Sequence, residues 1–179
     1  NKGIRSVNCD IVSFIDDDVI VDSKWLISIV NCFSEHNCDS VGGRVLPIYP
    51  DNTPDWIREE KEKMSGIAVT CDNGESNQEF NDGMYEFIGA NYAFKRSAFD
   101  QFWLFRTDLG PGISKPKTGE DREFVDRLLK NNKKVFYCGG ALVWHPLDLS
   151  RAKLKNIARW NIALGRSAAI REYEREEGN

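Results

Sequence analysis

Ile11-Val12-Ser13-Phe14-Ile15 runs directly into Asp16-Asp17-Asp18. The first five residues are β-branched or aromatic apart from Ser13, and a short apolar run of that kind is a buried strand. Three carboxylates then stand at its carboxyl end. In an open α/β sheet that is where ligands bind. Crowded carboxylates repel one another, and a hard divalent cation such as Mg²⁺ or Mn²⁺ relieves the repulsion and can bridge diphosphate oxygens. The competing reading of the triplet is a solvated acidic turn leading into the next helix. Its placement after a buried strand favours the first reading.

Working outward, Asp22 or Ser23 can cap a helix starting near Lys24, with Leu26, Ile29, Val30 and Phe33 at helical spacing. Val41 to Leu46 reads as the next strand, ended by Pro47 and Pro50, and a short helix is expected from Pro54 to Met64. Residues 70–83, rich in Asn, Asp, Gly, Ser and Glu, read as an exposed loop. Met84 to Ile88 is expected to be a strand entering Gly89-Ala90-Asn91, with Tyr92 to Phe94 continuing it. Ser97 can cap a short helix to Trp103. Residues 106–119 form a Gly- and Pro-containing loop, and Glu120 to Lys130 a helix with Phe124, Val125, Leu128 and Leu129 inward. Val135 to Tyr137 and Ala141 to Trp144 are expected as two short strands. From Ser150 to about Glu174 the pattern is an amphipathic helix with a basic face. Alternating strands and helices imply a layered α/β fold.

Composition narrows the function. The chain has 179 residues, enough for one domain or most of one, and 41% of them are hydrophobic. The net charge of -4 argues against a general nucleic-acid binder, which would carry a basic surplus. Cys9, Cys32, Cys38, Cys71 and Cys138 form no CxxC pair, and an odd count leaves one thiol free, so a reduced, cytoplasmic chain is expected. No apolar run approaches the length of a membrane span. There is no initiator Met, and a strong strand comes almost at once, which suggests a piece of a longer protein.

Three further motifs carry chemistry. Gly119-Glu120-Asp121 follows the loop and opens a helix, a suitable place for a general base that meets an incoming hydroxyl. Acids in a helix's first turn are also favoured simply by the dipole. Trp144-His145-Pro146 follows a strand, and His145 can add a neutral ring nitrogen to a metal site or serve structure alone. Gly89-Ala90-Asn91 allows a ligand to approach the backbone closely, or else marks a tight bend.

Together, strand-Asp-Asp-Asp, Gly-Gly-Arg-Val (42–45), Gly-Ala-Asn-Tyr-Ala-Phe (89–94), Gly-Glu-Asp-Arg-Glu-Phe (119–124) and Val-Trp-His-Pro (143–146) resemble glycosyltransferase family 2, of the GT-A fold. Each motif is weak alone; five in this order across residues 11–146 are specific. Asn1-Lys2-Gly3-Ile4 resembles the helix end that precedes the acidic strand in that family. The resemblance implies a GT-A-like mixed sheet flanked by helices, lacking the amino-terminal strands that hold the nucleotide base. Residues 1–149 would be the carboxyl-terminal portion of the catalytic domain, and 150–179 a helical extension of it.

It further implies inverting, metal-dependent transfer of a sugar from a nucleotide-diphosphate donor to a saccharide or lipid-linked acceptor, with Mn²⁺ or Mg²⁺, in bacterial surface polysaccharide or glycoconjugate synthesis. Asp16, Asp18 and His145 match the metal ligands. Asp121 matches the catalytic base, with Glu120 beside it. Asp17 would face the ribose, and Gly89 and Asn91 the donor or acceptor pocket. The 106–118 loop resembles the segment that closes over the donor. Asn156-Ile-Ala-Arg159-Trp160 matches the Gln-x-x-Arg-Trp motif of processive members only in part, and a packed Trp160 with an exposed Arg159 is the plainer reading. The basic face of the last helix suits either solvent or an anionic membrane. Two other classes fit the acids: a non-catalytic sugar- or nucleotide-binding relative, and a metal-dependent phosphohydrolase or nucleotidyltransferase.

Overall fold

The computed structural model describes residues 1–59, 65–81, 84, 88–110 and 118–177. Parts of four expected features lie outside those residues: 60–64 of the second helix, 82–83 of the 70–83 loop, 85–87 of the strand before Gly89, and 111–117 of the 106–119 loop.

The elements follow the expected alternation. After α1 (Lys2–Ser6) come β1 (Ile11–Ile15), β2 (Ile20–Val21), α2 (Trp25–His36) and β3 (Ser40–Ile48). Two short helices, α3 (Asp55–Glu59) and α4 (Ser65–Ala68), lead to β4 (Gln78–Glu79), β5 (Asn91–Lys95) and α5 (Arg96–Phe102). The chain closes with α6 (Glu120–Lys130), β6 (Val135–Pro146), a 3₁₀ turn (Leu149–Ala152) and α7 (Leu154–Glu177). The sheet order is β1-β5-β3-β6-β2, with β4 also on β6. Among the described residues only the β3–β6 ladder is parallel; the others are antiparallel. The sheet is therefore mixed, as the resemblance implies.

Four local expectations change. The strand expected to be buried at 11–15 is β1, at one end of the sheet order among the described strands, and only its Val12 is buried. The two strands foreseen at 135–137 and 141–144 are one strand, β6, interrupted where the register with β3 jumps from Gly43↔Cys138 to Arg44↔Leu142. The extra residues Gly139, Gly140 and Ala141 form a bulge, and a strand bends at a bulge. The loop expected at 70–83 contains β4, and Cys71 bridges to Val45. Pro47 does not end its strand; β3 runs to Ile48 with Pro47 opposite His145. The reason is parity. The Val45 amide points to Cys71, away from β6. Pro47, two residues on, has its missing N–H on that same side, so no β6 ladder bond is lost.

Alternation along the strands builds a core on each face of the sheet. On one face, Val12, Tyr92, Phe94, Val135 and Tyr137 pack with Phe99 of α5 and Phe124, Val125 and Leu128 of α6. The rings of Phe14, Phe94, Phe99, Phe105 and Phe124 meet mostly edge to face, with centroids between 4.8 and 6.1 Å apart. Such pairs contribute beyond their buried area, roughly 0.5–1.5 kcal/mol each. On the other face, Val41, Ala93, Phe136 and Cys138 receive Ile29, Cys32 and Phe33 of α2. A smaller cluster of Ile57, Ile67, Ala68 and Leu147, backed by Ile157, seats the 3₁₀ turn and the start of α7. All five cysteines are unpaired, and every one but Cys9 is buried. No helix among the described residues is long and apolar enough to cross a membrane.

The opening helix is anchored by charge. Arg96, at the start of α5, donates to the carbonyls of Ile4 (2.6 Å) and Val7 (2.8 Å). The last carbonyls of α1 thus gain a cationic donor, which the helix macrodipole favours.

Candidate functional site

Asp16 leaves the sheet at the end of β1, and Asp17 and Asp18 form the turn into β2. Strand β2 pairs antiparallel with β6, Ile20 opposite Trp144. That pairing folds the acidic turn back over His145. Asp22 fixes the far side of the turn: its carboxylate accepts from the Lys24 amide (2.8 Å), and its own amide donates to the Leu142 carbonyl (3.0 Å).

His145 Nε2 lies 3.5 Å from Asp16 Oδ2 and 3.6 Å from Asp18 Oδ1. The three ligand atoms fall within 4.8 Å of one another. His145 is 3% exposed, whereas both aspartates are open to solvent. His145 Nδ1 is 2.8 Å from the Pro146 carbonyl oxygen. A carbonyl only accepts, so Nδ1 is the donor in that contact, and the ring turns its other nitrogen, Nε2, towards the two carboxylates. Two carboxylates and an imidazole nitrogen facing one point form a group that could hold a cation. Two carboxylate oxygens and an imidazole nitrogen, with room left for water and phosphate oxygens, suit Mn²⁺ or Mg²⁺. The donor set therefore fits the cation that the sequence implied. Asp17 lies exposed in the same turn.

Asp121 opens α6, where its Oδ1 accepts from the Arg122 amide (2.8 Å). Its other oxygen rests on Gly89: a Cβ built there would come within 2.9 Å of Asp121 Oδ2. Gly89 also lines a cavity of about 160 Å³ with Asp16, Val69, Ala90, Arg151 and Trp160. Gly89 is thus shared, with the Asp121 carboxylate against it and the acidic turn across the cavity. A side chain at this position would separate the two. Val69 holds φ +31°, an unusual conformation for a β-branched residue, and such strain clusters at functional sites. Glu120 turns towards Gly110, and burial raises its carboxyl above the ordinary carboxylate range.

Two residues behave differently from the sequence expectation. Asn91 is not among the lining residues of that cavity; it is 1% exposed inside the sheet. Its Nδ2 donates to the carbonyls of Ala141 (2.7 Å) and Arg44 (3.0 Å), and its Oδ1 accepts from Trp25 Nε1 (2.9 Å). The amide fills the gap that the β6 bulge opens. Gly43 makes room for it, since a Cβ there would fall 2.1 Å from Asn91 Nδ2. Trp160, expected simply to pack, is 39% exposed and lines the cavity beside Asp16. Arg159 is exposed, as expected. The partial Asn-x-x-Arg-Trp pattern was the only sequence signal for this. Arg151 carried none beyond its charge.

A structural relative has the same architecture. The crystal structure of GalNAc-T7 with UDP, GalNAc and Mn²⁺ superposes at a TM-score of 0.53 and 13% identity, over 81% of this chain and 29% of that one. The fold is that of the GT-A glycosyltransferases. The sequence profile of Glycosyl transferase family 2 matches residues 1–103, and the chain belongs to that family. It is also similar to the glucosyl-dolichyl phosphate glucuronosyltransferase of Haloferax volcanii, 28% identical over 152 residues. That alignment covers 82% of this chain and 46% of the relative, so the chain spans about half the length of the curated relative it matches.

Proposed function

We propose that this chain carries the catalytic centre of an inverting, metal-dependent glycosyltransferase, which moves a sugar from a nucleotide-diphosphate donor to an acceptor hydroxyl. The convergence of Asp16, Asp18 and His145 on one point carries the reading, with Asp121 held against Gly89 at the edge of the same cavity. A divalent cation on those three ligands supplies neutralising charge for the departing diphosphate.

The chain's own residues supply the rest. Asp121 accepts the proton of the acceptor hydroxyl as its oxygen attacks the anomeric carbon. The bond from that carbon to the diphosphate oxygen breaks on the opposite face, and the configuration inverts. Gly89 leaves room for the Asp121 carboxylate, because a side chain there would press on it. Asp17, exposed in the acidic turn, is assigned to the donor ribose. Glu120 stands beside Asp121, and burial raises its carboxyl pKa. Saccharides or lipid-linked saccharides are the acceptor class, in surface polysaccharide or glycoconjugate synthesis, and the relative's dolichyl phosphate name is consistent with a lipid-linked one.

The direct test is a thermal-shift screen of nucleotide-diphosphate sugars with and without Mn²⁺, followed by a transfer assay. A donor-dependent shift that requires the metal is expected. Release of diphosphate at the same rate with and without any acceptor would instead identify a phosphohydrolase. For the metal site, Asp18→Ala and His145→Ala are each expected to raise the Mn²⁺ concentration for half-maximal activity at least tenfold, since even outer-shell partners of ligands are worth about 10–100-fold. An unchanged metal titration for His145→Ala would remove it from the ligand set.

A further inference from the structure

Helix α7 has two working sides. Its inner side is buried: Ala163 and Ser167 are 3% and 0% exposed, and Ser167 Oγ accepts from the Thr118 amide (3.2 Å). Trp160 faces the cavity beside Asp16. The outer side carries Leu154, Ala158, Ile162, Gly165 and Ala169 at i, i+4, i+8, i+11 and i+15, one exposed row along the helix. Leu154 is 84% exposed and Ile162 52%. Alongside runs a second exposed row, Lys155, Arg159 and Arg166, none of which has an acidic partner among the described residues.

The charge is concentrated here. Between Asp148 and Glu172 the chain has Arg151, Lys153, Lys155, Arg159, Arg166 and Arg171 and no acid, in a protein whose net charge is -4. An apolar row flanked by unpaired cations is the form of a helix that lies in a bilayer interface, with its apolar side among the acyl chains and its cations on anionic headgroups. A second copy of this face is a poorer occupant, because two such rows would bring like charges together.

We propose that the outer face of α7, from Leu154 to Ala169, is a docking surface for an anionic phospholipid bilayer. One helix then has its outer side on the membrane and its inner side on the cavity with Asp16. An acceptor anchored in that membrane meets the acidic turn without leaving the surface. This consequence rests on the glycosyl-transfer reading; the docking does not, and vesicle binding needs no catalysis, so the two can fail separately.

The test is cosedimentation of the protein with phosphatidylcholine vesicles, with and without phosphatidylglycerol, at low and high salt. Binding is expected only with phosphatidylglycerol, and it should weaken as salt screens the charges. Each cation near an anionic surface is worth roughly fivefold in partition, so K155E/R159E/R166E should bind at least about a hundredfold more weakly. The neutral K155Q/R159Q/R166Q gives the same readout with less risk to folding. Leu154→Ser with Ile162→Ser should weaken binding while keeping its salt dependence. Binding that ignores lipid charge, or triple variants that bind like the native chain, would overturn the proposal. So would a solution dimer, seen by sedimentation equilibrium, that Ile162→Ser dissociates.

Discussion

Replacing Asp121 by asparagine is expected to lower kcat by about 10²–10⁴-fold, the usual contribution of a positioned general base, while donor binding in Mn²⁺ survives. The variant is well matched in shape. Its amide oxygen can still accept from the Arg122 amide, and the side chain still fits against Gly89. The capacity to take a proton is lost together with the negative charge. Steady-state transfer rates give the first quantity, and calorimetric titration with a nucleotide-diphosphate sugar gives the second. Equal loss of turnover and affinity would move Asp121 from the chemistry to donor binding. Turnover and donor affinity both unchanged from the native chain would exclude it from both. Gly89→Ala provides a related check, because its Cβ would press on the Asp121 carboxylate without altering any acid.

The largest effect on folding is expected from Asn91→Ala. The native amide pairs with two backbone carbonyls and one indole N–H where almost no water reaches. A buried polar group left without its partner costs about 1–3 kcal/mol. The three orphaned groups sit together and can relax together, so a total of about 3–5 kcal/mol is expected, at the upper end for single substitutions. For a chain of this size that corresponds to a drop in Tm of roughly 10 °C. Thermal denaturation followed by circular dichroism measures it. A Tm within a degree or two of native, combined with a raised KM for the donor, would return Asn91 to the donor pocket. Gly43→Ala should produce a similar loss, since its Cβ would displace the same amide.

Asn91 also shows where sequence reading reaches its limit. Gly89-Ala90-Asn91 is legible as a close-approach segment, but not which of the three residues does the approaching. Gly89 faces the cavity, while Asn91, two residues on, begins β5 and turns into the sheet. What decides its role is a bulge some fifty residues later in β6, which leaves carbonyls in need of a donor. No local pattern carries that information. The same holds for Pro47, which ends a strand by local propensity and is tolerated because its missing N–H faces away from β6. Trp160 is a further case: helical periodicity places it on the inner side of α7, but only the docking of that helix sets it beside Asp16.

The acidic triplet was legible in the sequence as a cluster of carboxylates after a strand. A short apolar strand followed by three aspartates determines, by itself, a concentration of hard oxygen ligands at a strand's carboxyl end, although the burial expected of that strand is not met: only Val12 of β1 is buried. The ordered motifs determined the family, and the helix at Glu120–Lys130 and the strand at Ile11–Ile15 were bounded by periodicity alone. The third member of the cluster was a different matter. His145 lies far along the chain from Asp16, and a lone histidine after a strand has several ordinary uses. The antiparallel pairing of β2 with β6 brings its Nε2 to 3.5 Å from one carboxylate and 3.6 Å from another, and the Pro146 carbonyl turns that nitrogen to face them. Local sequence determines which groups can bind a cation. Tertiary structure decides which of them meet, because strand pairing joins residues that are distant in the chain.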